Sequence, residues 1–154
     1  MRFAVIGGAG FIGSYLTKRL LSDDHNVLVI DNFHTGKKEN LENLENLEFY
    51  NIDIRNYQEL DQTLKNLDGI FHEAALTVVK DSFENPKEYQ EVNITGTENI
   101  FKIAKNHEIK VVYASSSSVY GNVEKIPITE DFPKNPINPY GKTKLEAENL
   151  AEKY

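Results

Sequence analysis

The 154-residue chain contains no cysteine, which removes disulfides, thiolate metal sites and cysteine nucleophiles from the chemistry open to it. It also lacks any surplus of positive charge, since 17 Lys and Arg against 24 Asp and Glu leave a net charge of −7. Such a chain has no cationic stripe with which to neutralise a phosphate backbone, and anionic membrane surfaces repel it. Nucleic acid and membrane are therefore excluded as partners. Long apolar runs are missing too. The longest uncharged stretch, Phe3 to Thr17, is broken by Gly7, Gly8, Gly10 and Gly13 and falls short of the ~20 residues that cross a bilayer. Met1-Arg2 before Phe3-Ala4-Val5-Ile6 imitates a secretory leader only faintly: four apolar residues are too few, and no small-residue cleavage site follows. A soluble cytoplasmic protein is expected. Disorder is not, because 40% hydrophobic residues together with nine glycines match the apolar share of ordinary globular domains.

What is present alternates. Short apolar, β-branched runs at Phe3–Ile6, Asn26–Ile30, Glu48–Ile52, Gly69–His72 and Lys110–Ala114 read as five strands. Helical spacing of apolar residues separates them, at Phe11 to Leu21, Tyr57 to Leu67 and Pro86 to Asn106. A last helix opens at Pro139, behind the candidate cap Asn138. Strands spaced by helices make βαβ units, hence one α/β domain over residues 1–154 with a doubly wound parallel sheet covered on both faces. Pro127, Pro133, Pro136 and Pro139 exclude regular structure between the fifth strand and the last helix. A triple Asn-Leu-Glu repeat from Asn40 to Glu48 reads either as a surface loop or as a short helical turn carried by its leucines.

Gly8-Ala9-Gly10-Phe11-Ile12-Gly13 matches Gly-x-Gly-x-x-Gly, and Gly7, Gly10 and Gly13 also give Gly-x-x-Gly-x-x-Gly. The pattern follows a strand and opens a helix, the context in which it marks a Rossmann dinucleotide site. Glycine is needed there for the tight turn, for backbone approach to a pyrophosphate and for close helix–strand packing, while the helix N-terminus offers amides and the positive end of its dipole. Asp31, 18 residues after Gly13 and followed by Asn32, ends the second strand. A carboxylate there accepts hydrogen bonds from both ribose hydroxyls and repels a 2′-phosphate, which selects NAD over NADP. Asp53-Ile54, closing the third strand, is placed either to meet the adenine or simply to cap the strand end.

The last third carries the reactive groups. Tyr140 and Lys144 form Tyr-x-x-x-Lys on the first turns of the final helix, and i, i+4 spacing puts both on one face. An ammonium beside a phenol stabilises phenolate, drawing the tyrosine pKa down from about 10 and making it a general base toward an alcohol. Upstream, Ser115-Ser116-Ser117-Ser118-Val119-Tyr120-Gly121 follows the fifth strand, at the carboxyl end of a parallel sheet where α/β sites form.

This ordered set resembles the extended short-chain dehydrogenase/reductase superfamily, and within it the NAD-dependent nucleotide-sugar epimerases. The residues concerned are Gly7–Gly13, Asp31-Asn32, Asp53-Ile54-Arg55, His72-Glu73-Ala74-Ala75, Val92-Asn93-Ile94-Thr95-Gly96-Thr97, the serine run and Tyr140-Gly141-Lys142-Thr143-Lys144. The resemblance implies Tyr140 as catalytic base, Lys144 lowering its pKa and binding the nicotinamide ribose, and Ser116, or alternatively Ser117, hydrogen-bonding the sugar hydroxyl. It also implies Ala74 and Ala75 lining the cofactor groove, Asn93 supporting the site from the long helix, and no metal. His72 reads as a packed strand-end histidine rather than a catalyst. The implied reaction is an isomerisation: the hydride on carbon 4 of a UDP-glucose-type or N-acetylated sugar moves to NAD, the 4-keto sugar turns, and the hydride returns to its other face.

Sister families differ. Nucleotide-sugar dehydratases place Asp-Glu after the catalytic Ser or Thr, and the related decarboxylases commonly keep the glutamate. Ser117 and Ser118 stand at those positions and do neither acid nor base work near neutral pH. Epimerase is therefore the preferred reading, with dehydratase or decarboxylase, or an NAD-binding module without turnover, as the alternatives. Thr77 replaces a lysine common near the cofactor phosphates of UDP-galactose epimerases, which opens the choice of sugar to N-acetylated ones. The resemblance also implies a homodimer through helices 86–106 and 139–154, and further strands and a substrate domain beyond the last helix. The expectation is a helix from Pro139 running to the terminus and a sheet edge without a neighbour.

Overall fold

The interiors of the central strands are apolar at consecutive positions because both of their faces are covered, as in a parallel sheet with helices on either side. The computed structural model describes residues 1–154. Its strands β1 (Arg2–Ile6), β2 (Asn26–Ile30), β3 (Leu47–Tyr50), β4 (Gly69–His72) and β5 (Lys110–Tyr113) form one parallel sheet in the order β3-β2-β1-β4-β5. Helices α1 (Phe11–Ser22), α2 (Tyr57–Thr63), α3 (Val79–Glu84), α4 (Pro86–Gln90), α5 (Thr97–Asn106) and α6 (Pro139–Ala151) connect or follow the strands.

Register sorts the side chains. Ala4, Leu28 and Ile70 align across β1, β2 and β4 and join Leu60, Leu64, Ile100, Ile103 and Ala104 in the larger core beneath α2 and α5. Val5, Val27 and Val29 point to the other face and meet Leu20 of α1 in a smaller core. On that second face Phe71 is only partly buried and Val112 is exposed. Phe11, Ile12 and Tyr15 of α1 are exposed as well. β5 pairs only with β4, so its other edge has no neighbour.

Several boundaries differ from the sequence reading. The third strand runs Leu47–Tyr50 rather than Glu48–Ile52, and the fifth stops at Tyr113 rather than Ala114. α2 ends at Thr63. Leu64 and Leu67 still reach the core, but through a turn in which Asn66 takes a positive φ of 55°, and this turn ends the helix before Leu67. α6 ends at Ala151, three residues short of the expected terminus. At its start Asn138 accepts a hydrogen bond from the Gly141 amide at 2.7 Å, with Pro139 in the first turn. In the Asn-Leu-Glu repeat a 3-10 turn covers Lys38–Leu41. Asn43 and Asn46 then adopt φ of 61° and 60°, the left-handed conformation asparagine tolerates best among non-glycine residues, and Leu41 and Leu47 pack beside the smaller core.

The long helix is three pieces. α4 leads into a π-helical turn over Glu91–Gly96, and α5 continues from Thr97. Gly96 lies against Ile54, where a Cβ would stand 2.6 Å from the Ile54 Cδ1 and Cγ1 atoms. α3, a further short helix before it, was not anticipated.

Candidate active site

The chain leaves β1 for β2 and β3 on one side and returns to β4 on the other, so a crevice opens between the carboxyl ends of β1 and β4. That is where open α/β sheets bind ligands. Gly7, Gly10, Ile30, Asp31, Asn32, Ala74 and Ala75 line a cavity at this point. Gly7 has φ +83°, and a Cβ on it would stand 2.7 Å from the Ala74 amide nitrogen. Any side chain at Gly13 would place its Cβ 2.2 Å from the Gly7 carbonyl oxygen. The turn is therefore packed against both the helix and the strand loop, as a backbone cradle must be. α1 begins at Phe11 with no side-chain cap and no acidic residue in its first turn, which leaves its leading amides and dipole to an anion. Phe11 and Ile12 direct their side chains to solvent, so as cofactor residues they offer backbone amides.

Asp31 is 8% exposed. Its Oδ2 accepts from the Ala9 amide at 2.9 Å and its Oδ1 from the Phe33 amide at 2.8 Å. Each oxygen retains a further acceptor position. Asn32 donates to Asp53 Oδ2 at 3.0 Å, and Arg55 grips both Asp53 oxygens through Nε at 2.9 Å and Nη2 at 2.7 Å. These bonds, the Arg55 hydrogen bond first, pull the Asp53 carboxyl down to about 2. With the Arg55 amide also bound to Oδ1, its four acceptor positions are filled within the protein. Asp53 here organises the strand end, while Ile54 lines the cavity and packs on Gly96.

Asn93 is 1% exposed. Its Oδ1 accepts from the Leu76 amide at 2.8 Å, and its Nδ2 donates to the Leu76 carbonyl at 3.0 Å and to Thr143 Oγ1 at 3.1 Å. The π-helical turn brings this amide against the loop after β4, so Asn93 ties Ala74-Ala75-Leu76 to α6 and both of its donors face protein. His72 is fully buried, with Nε2 at 2.9 Å from Thr97 Oγ1, and burial first, then Lys144, push it down to about 3. It is a neutral packed ring.

α6 presents Tyr140, 8% exposed, and Lys144, 3% exposed. The Tyr140 amide donates to Ser82 Oγ of α3 at 3.2 Å. Burial lowers Lys144 to about 8, against the opposing pull of Glu73 and Glu148. Glu73 lies on the cavity wall, and its own carboxyl is raised by desolvation and lowered by Lys144. Ser116 is half-buried at the start of a 3-10 turn over Ser117–Tyr120, its Oγ accepting from the Ser118 amide at 3.2 Å, whereas Ser117 is exposed. No group of three or more His, Asp or Glu side chains is placed to hold a metal, and no helix is long and apolar enough to cross a membrane.

Tyr113 and the His34-Thr35-Gly36 segment escaped the sequence reading, and Glu73 entered it only within the His72–Ala75 run, without a role. Gly36 packs on Asp31, where a Cβ would stand 2.8 Å from Oδ1. Tyr113 carried no signal, because its position depends on the pairing of β4 with β5.

A glycine cradle, an acidic residue after β2 and a buried Tyr-x-x-x-Lys helix at one sheet end define a dinucleotide-dependent α/β enzyme domain. The family model described as GDP-mannose 4,6 dehydratase matches residues 4–154, and the chain belongs to this family of NAD-dependent epimerases and dehydratases. It is 40% identical over 162 residues to the bifunctional UDP-glucose 4-epimerase and UDP-xylose 4-epimerase 1 of Pisum sativum, covering 97% of this chain and 46% of that protein. Among solved structures, UDP-N-acetylglucosamine 4-epimerase from Methanobrevibacter ruminantium, in complex with UDP-N-acetylmuramic acid, superposes with a TM-score of 0.93 at 38% identity, over 99% of this chain and 49% of that one. Thermus thermophilus UDP-glucose 4-epimerase in complex with NAD gives 0.93 at 34% identity, over 100% and 50%. The chain spans about half the length of the curated relatives it matches.

Proposed function

We propose that this chain carries the cofactor site and the catalytic pair of an NAD-dependent nucleotide-sugar 4-epimerase, acting on UDP-glucose and UDP-galactose or their N-acetylated equivalents. The observation that supports the reading is the glycine cradle with Asp31 behind it, tied to the Tyr140–Lys144 helix through Asn93, which bonds Leu76 of the cavity wall on one side and Thr143 on the other. The cradle fits the cofactor: Gly7 and Gly13 leave no room for side chains, Gly10 keeps the face of the turn bare, the amides of Phe11 and Ile12 suit a pyrophosphate, and the open acceptor positions of Asp31 suit the two ribose hydroxyls. Bound NAD supplies a reversible hydride acceptor.

The residues of the chain handle the proton. Tyr140 takes it from the sugar 4-hydroxyl and later returns it to the 4-keto oxygen. Lys144 is the positive charge beside the phenolate and the donor to the nicotinamide ribose, and Ser116 donates to the sugar oxygen. The absence of a carboxylate at Ser117 and Ser118 supports epimerisation over elimination. The same reading carries the cytoplasm as compartment and a second copy of the chain as partner, through α4–α5 and α6.

Mixing the protein with NAD in a calorimeter and assaying interconversion of UDP-galactose and of UDP-N-acetylgalactosamine tests this. NAD uptake with interconversion that Tyr140→Phe abolishes is expected. Uptake without interconversion supports a binding module, and failure to take up NAD overturns the proposal.

A further inference from the structure

Lys144 is nearly inaccessible, yet it takes part in no ion pair. What its Nζ faces is the ring of Tyr113, 4.3 Å from the centroid. Tyr113 ends β5 directly across from His72 of β4, on the same side of the sheet as the buried rings. Its ring is fixed from two directions, by His72 at 5.5 Å and 45° and by Phe101 edge-on at 5.8 Å and 80°. The Tyr113 hydroxyl is buried with no hydrogen-bond partner, an arrangement normally avoided at a site free to vary. We propose that Tyr113 is the positioning residue for Lys144, its ring face seating the ammonium so that the charge is held at the sheet end without a counter-carboxylate.

The chemistry favours a ring over an acid here. The face of an aromatic ring attracts a cation through its quadrupole. It does so without accepting any of the three N–H donors of the ammonium. A carboxylate in the same place would engage those donors and cancel the field that a phenolate at Tyr140 requires. The other titratable groups around Lys144 leave this arrangement intact. His72 is neutral, Glu73 and Glu148 act only at a distance, with Glu148 itself bonded to Lys134 at 2.6 Å and to Ser115, and the Tyr113 hydroxyl is held protonated by burial. The proposal rests on the epimerase reading for its purpose but not for its geometry.

The test is NMR of the protein with lysine labelled at 13Cε, the Lys144 signal being identified as the one lost in Lys144→Met. Protons above an aromatic face are shifted upfield, so the wild-type Lys144 ε-methylene should stand upfield of the exposed lysines. Tyr113→Phe should keep that shift and Tyr113→Leu should lose it, and in Tyr113→Leu the ammonium should titrate at lower pH than in Tyr113→Phe. NAD affinity should fall about three- to thirtyfold in Tyr113→Leu and be unchanged in Tyr113→Phe. A wild-type Lys144 signal among the exposed lysines overturns the proposal, and needs no variant to fold. So does an upfield shift that survives in Tyr113→Leu. Because the spectrum requires neither cofactor nor turnover, a protein that fails to bind NAD refutes the epimerase reading and leaves this result standing.

Discussion

Two alanine substitutions three residues apart in the same glycine turn should fail in different ways. At Gly13 a Cβ would meet the Gly7 carbonyl oxygen at 2.2 Å and the Gly8 Cα at 2.8 Å. Both are backbone atoms, so no rotamer change relieves the contact, and Gly7 is itself pinned by its amide bond to the Ile30 carbonyl at 2.7 Å. Overpacking of this kind costs about 1–3 kcal/mol, or more where the neighbour is rigid. Replacing glycine by alanine inside a helix favours folding by about 1 kcal/mol, which opposes the clash without matching it. The net loss for Gly13→Ala is about 2 kcal/mol, lowering the melting temperature of a chain this size by about 4–8 °C. At Gly10 only the Gly7 oxygen is near, at 3.2 Å, and the backbone, with φ −72° and ψ 177°, is one alanine adopts. Gly10→Ala should melt within about 2 °C of wild type yet bind NAD about tenfold or more weakly, since its methyl group stands in the cradle. Thermal melts of the cofactor-free proteins and calorimetric titration with NAD read both effects. A Gly13→Ala protein as stable as wild type, or a Gly10→Ala protein that is the less stable of the two, refutes the packing argument.

Lys144 titrates near 8 when folded against 10.5 when free, so between those values the unfolded chain holds a proton the native one has released. Stability then rises with pH across that window, by about 3 kcal/mol in all. Urea melts from pH 7 to 10.5 should show a rise in wild type that is absent from Lys144→Met, and equal slopes would refute the burial of the charge. Asn93→Ala strands the Leu76 amide and the Leu76 carbonyl, while Thr143 Oγ1 keeps its bond to the Tyr140 carbonyl, and should cost about 2–3 kcal/mol, read as a lower urea midpoint together with faster hydrogen exchange at the Leu76 amide. Asp31→Asn keeps one acceptor for two backbone amides. It should lose about 1–2 kcal/mol and, with its charge gone, weaken the preference for NAD over NADP in parallel titrations; an unchanged preference would count against its role at the ribose.

The features readable in the amino-acid order are those set by local rules. The strand runs, the glycine turn, Asp31 and the Tyr140–Lys144 spacing each depend on a few neighbours along the chain, and the parallel sheet follows from their alternation. What stayed hidden depends on tertiary contact. In the π-helical turn at Glu91–Gly96, Gly96 packs on Ile54, 42 residues earlier in the chain. α2 stops at Thr63 although Leu64 and Leu67 continue its apolar pattern, because a turn delivers those leucines to the same core. α3 is six residues long, too short for a periodic signal, and its Ser82 matters only because the Tyr140 amide reaches it. Tyr113 reads as one more apolar strand residue until β5 is aligned with β4.

Hydrogen-bond accounting separates the groups that build this site from those that face a ligand. Asp53 and Asn93 both look like binding residues by position, but the acceptors of the first and the donors of the second are engaged by protein. Asp31 is half engaged, each oxygen accepting one amide. Ser116 accepts from the Ser118 amide and keeps its own proton to donate. Lys144 donates to nothing and rests on a ring. A buried polar group left partly unmet in a folded protein is costly, and Asp31 after β2, Ser116 after β5 and Lys144 on α6 each keep such capacity. Substitutions at Asp53 and Asn93 should therefore register mainly as lost stability and those at Ser116 mainly in turnover, whereas those at Lys144 should register in both, since its removal takes away the donor to the ribose and also the pH-dependent cost of burying its charge.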